Sequence, residues 1–378
     1  MRGRSAGMGL LAAAVVAGSF FARTVHGAGA GSWAGAADVG APTWNRDAAT
    51  KYLDGRETWW QAWPRAQKDH ETLCISCHTV VPYAMVRPEL RRDLGIAAIS
   101  APEQVMLQSV EKRVYLWWEM DPFYSDEKYG AGKAAESRAT EAVLNAVILA
   151  SYDTAQGELW PITRKAFETA WWLQEKDGPV AGAWKWQNFH LGPWESEESG
   201  YQGAALLMVE AVNLPDGFAQ EPKTREHLDR VRDYLRRNYA AQPVINQLYV
   251  LWAAAKEPGL LTDAERAALV KTLREKQQAD GGFRTATLDA RERVDDTAQP
   301  AASDGYATGL TVVALRAVGT PKSDATLARS LGWLAAHQQK DGTWVAASLN
   351  KQRDAGSDPA LFMTDAATAY AALALVGR

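Results

Sequence analysis

The feature that restricts this fold most is a pairing of two kinds of helix that recurs along the chain. An amphipathic segment is followed by one that is apolar nearly all round, and the pair then repeats. Ser323 to Lys340 carries Leu327, Leu331 and Leu334 on one stripe with polar residues elsewhere, whereas Thr364 to Val376 is almost unbroken Ala, Tyr, Leu and Val. A helix of the first kind faces water on one side, and one of the second kind must be enclosed. Glu221 to Asn238, highly charged but striped by Leu228, Val231 and Leu235, precedes the apolar Val244 to Ala255. Thr262 to Ala279 opens with a Thr262/Glu265 capping box and precedes the small-residue helix Gly305 to Val318. Outer-then-inner pairs are expected at 51–69 with 72–86, 101–120 with 138–152, 158–175 with 196–213, 221–238 with 243–256, 262–279 with 304–318, and 323–340 with 361–376. Six such pairs would close into an all-α barrel, and an open array of helical hairpins shares the same alternation. Residues 28–50, rich in Gly and Ala, are expected as a linker ahead of one helical domain over 51–378.

The joints repeat as well. Gln174, Asp177 and Gly178 are spaced like Gln277, Asp280 and Gly281, and like Gln338, Asp341 and Gly342: one Q-x-x-D-G pattern, three times. An aromatic residue follows at the same offset in the last two copies, Phe283 and Trp344; in the first, an insertion delays it to Trp184. The pattern describes a helix end, an Asp-Gly turn that tolerates positive φ, and a ring packing back against the helix-end amide. These joints resemble the QW repeats of the squalene cyclase and protein prenyltransferase superfamily, over roughly residues 130 to 378. The resemblance implies a single α/α toroid of about six outer/inner hairpins.

Val294-Asp295-Asp296-Thr297-Ala298 is similar to the D-x-D-D-T-A acid motif of squalene-hopene cyclases and makes Asp295 and Asp296 candidate catalytic acids. Arg293 stands where the motif has its first Asp. Protonating an alkene requires a carboxyl kept neutral by burial, whereas a loop flanked by Arg291 and Arg293 favours the ionised form. Glu195, Glu197 and Glu198 lie at a similar joint, as acids or as caps of the following helix. The zinc site of the prenyltransferase relatives needs a Cys that this chain lacks outside positions 74 and 77. Both enzyme chemistries lose signature residues, and fold resemblance alone does not carry function.

Those two cysteines stand in Cys74-Ile75-Ser76-Cys77-His78, the C-x-x-C-H pattern of c-type haem attachment. On one helical turn the two thiols would share a face and reach the two vinyl groups of one porphyrin, with His78 as proximal iron ligand. For the other axial position Met85, Met106 and Met120 lie within reach in sequence, with His70 as an alternative; Met85 sits too close to His78, and Met106 is the candidate carried forward. Without a sixth ligand the iron would keep an open site. Arg87, followed by Arg91 and Arg92, is the candidate partner for haem propionates. The alternatives are a Cys74–Cys77 disulfide, permitted in an oxidising compartment, and a zinc site completed by distant His or acid residues. The haem would sit at the outer-to-inner joint of the first hairpin, at the rim of the toroid.

Residues 1–27 read as an export signal, with Arg2 and Arg4 ahead of an apolar stretch from Met8 to Phe21 that is too short to span a bilayer. The expected location is therefore periplasmic or secreted, where covalent haem attachment takes place, with no stable membrane span. The net charge of −4 argues against nucleic acid as a partner. The 16 Trp occur in pairs such as Trp117/Trp118 and Trp171/Trp172, whose members cannot share one helical face. They fill gaps between helical layers or line a pocket for an apolar or sugar-like molecule. Taken together, the sequence predicts an exported haem c protein working in electron transfer with a redox partner, or in haem-assisted oxidation of a ligand at the toroid mouth. The alternatives are a cyclase-like or lyase-like toroid enzyme with a structural C-x-x-C, and a non-catalytic binding module.

Overall fold

In the computed structural model, which describes residues 43–376 apart from residue 126, helices come in the alternating order that the sequence pattern predicts. The expected leader over 1–27 lies outside the described residues. The pairs are α1 (Arg46–Ala62) with α2 (Val80–Asp93), α3 (Ala101–Tyr115) with α4 (Gly130–Gln156), α5 (Pro161–Leu173) with α6 (Ser199–Asn213), and α7 (Pro222–Asn238) with α8 (Val244–Ala253). Next come α9 (Asp263–Lys276), the short α10 (Thr285–Leu288) and α11 (Gly305–Ala317), and finally α12 (Ala325–His337) with α13 (Asp358–Val376). The second member of each pair packs on that of the next: α2 on α4, α4 on α6, α6 on α8, α8 on α11, α11 on α13, and α13 back on α2. This inner ring is closed, and the fold is an all-α toroid with the amphipathic helices outside it.

Small residues let the inner helices approach. A Cβ at Gly309 of α11 would lie 2.6 Å from the Ala371 nitrogen of α13, so only glycine fits there. α13 has the length and apolarity of a membrane span, yet most of it is buried against α2 and α11. Outside, Thr262 and Glu265 form the expected capping box on α9 through reciprocal bonds of 3.2 and 2.7 Å.

The repeated joint proves to be the fastener between neighbouring pairs. The amide nitrogen of Gln277 donates to Gly281 O at 2.9 Å and to Thr326 O of the next outer helix at 2.9 Å. Gln338 donates to Gly342 O at 3.1 Å and to Asn45 O, just ahead of α1, at 2.9 Å. Gln174 donates to Gly182 O at 2.9 Å and to His227 O of α7 at 3.1 Å. The structural counterpart of Gly281 and Gly342 in the first copy is thus Gly182, where the sequence spacing pointed to Gly178. Their φ values of +92°, +95° and +93° agree, and each presses on the next outer helix at a site where a Cβ would meet backbone. The indoles complete the joint: Trp184 Nε1 donates to Ala170 O at 2.7 Å and Trp344 Nε1 to Leu334 O at 2.8 Å. Because the last glutamine engages Asn45, the same joint closes the ring.

Several boundaries differ from expectation: α1 ends at Ala62 instead of residue 69, α2 runs on to Asp93 instead of residue 86, and α4 begins at Gly130 instead of residue 138. α1 begins at Arg46, inside the segment expected as linker, because Asn45 caps it by accepting from Ala48 N at 2.9 Å. The first inner helix begins at Val80 instead of residue 72, since the preceding residues form a hairpin and a turn.

Gly342→Ala combines positive φ with a Cβ 2.2 Å from the Ala48 carbonyl carbon, whereas Gly356, at φ +78°, has nothing within 4 Å of its missing Cβ. In urea unfolding, Gly356→Ala is expected to cost about 1–2 kcal/mol, the conformational term alone. Gly342→Ala is expected to cost more than that by the overpacking penalty of about 1–3 kcal/mol. Equal losses would show that the joint does not hold the ring.

Candidate functional site

Between α1 and α2 the chain makes a small hairpin, β1 (Gln67–Lys68) against β2 (Thr72–Leu73), with His70 and Glu71 at positive φ in its turn. Cys74 follows directly, its N–H donating to Ala66 O at 2.7 Å and its carbonyl accepting from Trp60 Nε1 at 2.7 Å. Ser76 Oγ accepts from Thr79 N at 3.2 Å and Val80 N at 3.1 Å, satisfying two of the free donors at the start of α2. The motif is therefore a turn capping a helix, not the helical turn expected from its spacing. Burial divides the pentapeptide by role: Ile75 and Ser76 are buried as anchors, while Cys74, Cys77 and His78 are half-buried. Both thiols are free.

Behind His78 runs a chain of hydrogen bonds that sequence reasoning missed. Asp365 of α13 is surrounded by donors: Tyr52 OH at 2.8 Å and Arg56 Nε at 2.8 Å on one oxygen, and the Thr79 hydroxyl at 2.7 Å on the other. Burial pushes the Asp365 carboxyl upward, and Arg56, Thr79 and Tyr52 pull it back. Since Thr79 gives its proton to Asp365, its oxygen must accept from His78 Nδ1, 2.9 Å away. This assigns the proton to Nδ1 and leaves the Nε2 lone pair free. Burial, and then the nearby Arg56 charge, lower the His78 pKa to about 3, so the imidazole is neutral. One signal was available in the sequence: Asp365 is the single charged residue in the apolar run from Thr364 to Val376.

Aromatic rings enclose the imidazole. Phe362 stacks on it with centroids 3.9 Å apart, Trp60 meets it edge-on at 5.6 Å, and Trp194 lies at 6.0 Å. Trp194 comes from the joint between α5 and α6, and Phe362 from the start of α13. The motif thus lies at the end of the toroid where the long outer-to-inner joints gather. Burial pushes the Cys74 thiol up to about 12 and Cys77 well above its ordinary value. Glu195, beside Trp194, is raised to about 7 by burial against the pull of Lys133.

Of the other sequence candidates, only Met106 comes near the motif. Arg87 is buried and holds Asp54 with two bonds of 2.8 and 3.0 Å, with Glu103 3.8 Å away. The cation next to His78 is instead Arg56, whose Nη2 is buried without a hydrogen-bond partner. Met106 is 2% exposed in the core beside Trp60 and Val110, bordering a small cavity that Cys74 also lines. Met85 and Met120 are buried too, and His70 is exposed on the hairpin turn. Asp295 is exposed and held below the usual carboxylate range, first by its hydrogen bond from Thr297. Asp296 is exposed beside it. Among the described residues, no cluster of three or more His, Cys, Asp or Glu side chains is assembled to hold a metal ion. The tryptophan pairs split as their helical geometry requires: Trp117 is 1% and Trp118 72% exposed, Trp171 6% and Trp172 63%.

The toroid axis is filled at this level. Tyr249 OH lies 3.0 Å from Tyr306 OH and 2.7 Å from Tyr370 OH, joining α8, α11 and α13 across the interior, and Trp194 packs on Tyr306 at 5.3 Å. The three phenols are nearly fully buried.

Comparison with known families adds one match. Residues 302–378, which comprise α11, α12, the last joint and α13, are similar to the squalene-hopene cyclase C-terminal domain. No curated protein matches the chain. The matched segment covers about a fifth of the sequence and contains the helices that close the ring, and the closed all-α toroid is consistent with a fold of the squalene cyclase type.

Proposed function

We propose that this chain is a c-type haem protein, with haem carried at the toroid rim on Cys74 and Cys77 and bound through His78 Nε2. The observation that carries the reading is the Asp365–Thr79–His78 chain, which presents a neutral imidazole with a free Nε2 next to two half-buried thiols. The donor set, two thiols and a neutral imidazole, suits the group. A neutral thioether sulfur suits the apolar surroundings that disfavour a thiolate here, as the raised Cys74 and Cys77 pKa values indicate. Arg56 Nη2, unpartnered and next to His78, would serve a haem propionate, and Arg87 keeps an unpartnered Nη1. Bound haem would supply one-electron redox chemistry; the protein would orient the imidazole through Thr79, polarise it through Asp365, and exclude water with Trp60, Phe362 and Trp194. Attachment of this type belongs outside the cytoplasm, in keeping with the leader-like N-terminus, and one-electron exchange calls for a redox partner protein.

A terpenoid cyclase-like reading draws on the match over 302–378. Against it stand the tyrosine-filled axis and the exposed, ionised Asp295.

Expression with the cytochrome maturation machinery should give a red protein whose haem stays on the chain after denaturation and shows a c-type pyridine haemochrome spectrum. Cys74→Ala/Cys77→Ala should lose that covalent haem, and a colourless wild-type protein would overturn the reading. In the holoprotein, Thr79→Val removes the hydrogen bond that polarises His78. A bond worth about 1 kcal/mol corresponds to roughly 40 mV for one electron, so the midpoint potential should rise by about that much. An unchanged potential in redox titration would mean that the chain does not act on the iron ligand.

A further inference from the structure

A second cavity, of about 630 Å³, opens between the joint that precedes α11 and the joint that precedes α13. Its size falls in the range of small-molecule sites. Two arginines line it in different states. Arg293 gives Nη1 to Ala298 O at 2.9 Å and Nη2 to Ser348 O at 2.6 Å, which ties the two joints together, and its Nε alone is left without a partner. Arg353 has its Nε buried without a hydrogen-bond partner, and no ion pair among the described residues involves it. The one acid in the lining, Asp341, is engaged by the Thr343 hydroxyl at 2.8 Å. Ser348 and Thr364 add hydroxyl groups to the wall.

We infer that this cavity is a binding site for a small hydroxylated monocarboxylate, held by Arg353, and that its occupancy is transmitted to His78 through Tyr52. One uncommitted guanidinium matches one carboxylate in its planar fork geometry, and hydroxyl-bearing walls match a polyhydroxylated body. The transmission follows from position. Tyr52 lines the cavity, and its hydroxyl donates to Asp365, the same carboxylate that takes the Thr79 proton and so orients His78. A ligand that competes for the Tyr52 hydroxyl changes the hydrogen bonding of Asp365 and hence the imidazole. The site itself is independent of the haem reading, whereas its effect on His78 rests on that reading.

The test uses the full-length protein, with D-glucuronate as probe and D-glucose as its uncharged counterpart, in calorimetric titration. Saturable 1:1 binding of glucuronate, at least ~10-fold weaker binding of glucose, and a ~10- to 100-fold loss in Arg353→Gln with partial recovery in Arg353→Lys are expected. Unchanged thermal unfolding midpoints would show that both variants fold. Failure of glucuronate to saturate, equal affinity for glucose, or full affinity in Arg353→Gln would overturn the site. In the haem-loaded protein, saturating glucuronate should shift the midpoint potential, and Tyr52→Phe should abolish the shift without abolishing binding. Binding without any shift would overturn the link to His78. A preparation without covalent haem refutes the haem assignment while the titration still decides the site.

Discussion

The toroid depends on a single side-chain amide used three times. Gln174, Gln277 and Gln338 each end an outer helix, and each bridges the carbonyl of its own joint glycine to backbone of the following outer helix. A primary amide suits this position because it donates two hydrogen bonds from one nitrogen, and the buried carbonyls at these sites would otherwise go unsatisfied. Glycine is needed beside it because the backbones touch there. Apolar burial holds the inner and outer layers together, but burial is non-directional. The glutamine joints add directional bonds at three of the junctions between neighbouring pairs, the one that closes the ring included.

That logic explains what could be read from the chain and what could not. Helix pairing was legible because each inner helix must be apolar all round and each outer helix striped, a constraint that acts on nearly every residue. Joint placement was legible where spacing is regular and misled where it is not. In the first copy, Gly178 has the right offset from Gln174, yet a Cβ there would meet nothing within 4 Å, whereas at Gly182 it would meet Arg230 O at 2.2 Å. Contact with the next repeat, not distance from the glutamine, defines the position, and an insertion hides that from the sequence.

The C-x-x-C-H pattern drew attention to the candidate site, but its local geometry is not the helical turn expected. Ser76 shows why. Its hydroxyl caps α2, so the cysteines lie on a turn just ahead of the helix, and the three-residue spacing arises from capping instead of helical periodicity. Arg87 illustrates a related difference. An arginine near a haem motif suggests a propionate partner, but Asp54, distant in sequence and adjacent in space, engages its Nε and Nη2 and leaves only Nη1 without a partner. Arg56, which faces His78, precedes the motif by 18 residues in an outer helix and carries no local mark.

The group that orients His78 comes from the other end of the chain. Thr79 and Asp365 are 286 positions apart and meet only when α13 docks on α2, the contact that completes the inner ring. Closing so long a loop is entropically costly, so the contact forms only with the support of the packed helices around it. Before closure, Thr79 has no acceptor and the His78 tautomer is unassigned; after it, Nδ1 carries the proton and Nε2 is free. Ring closure and orientation of the His78 imidazole are therefore one event. It follows that the segment resembling the cyclase domain contributes to this site through α13 itself, by delivering Asp365 to the rim, while the axis of the toroid is occupied by its own tyrosines.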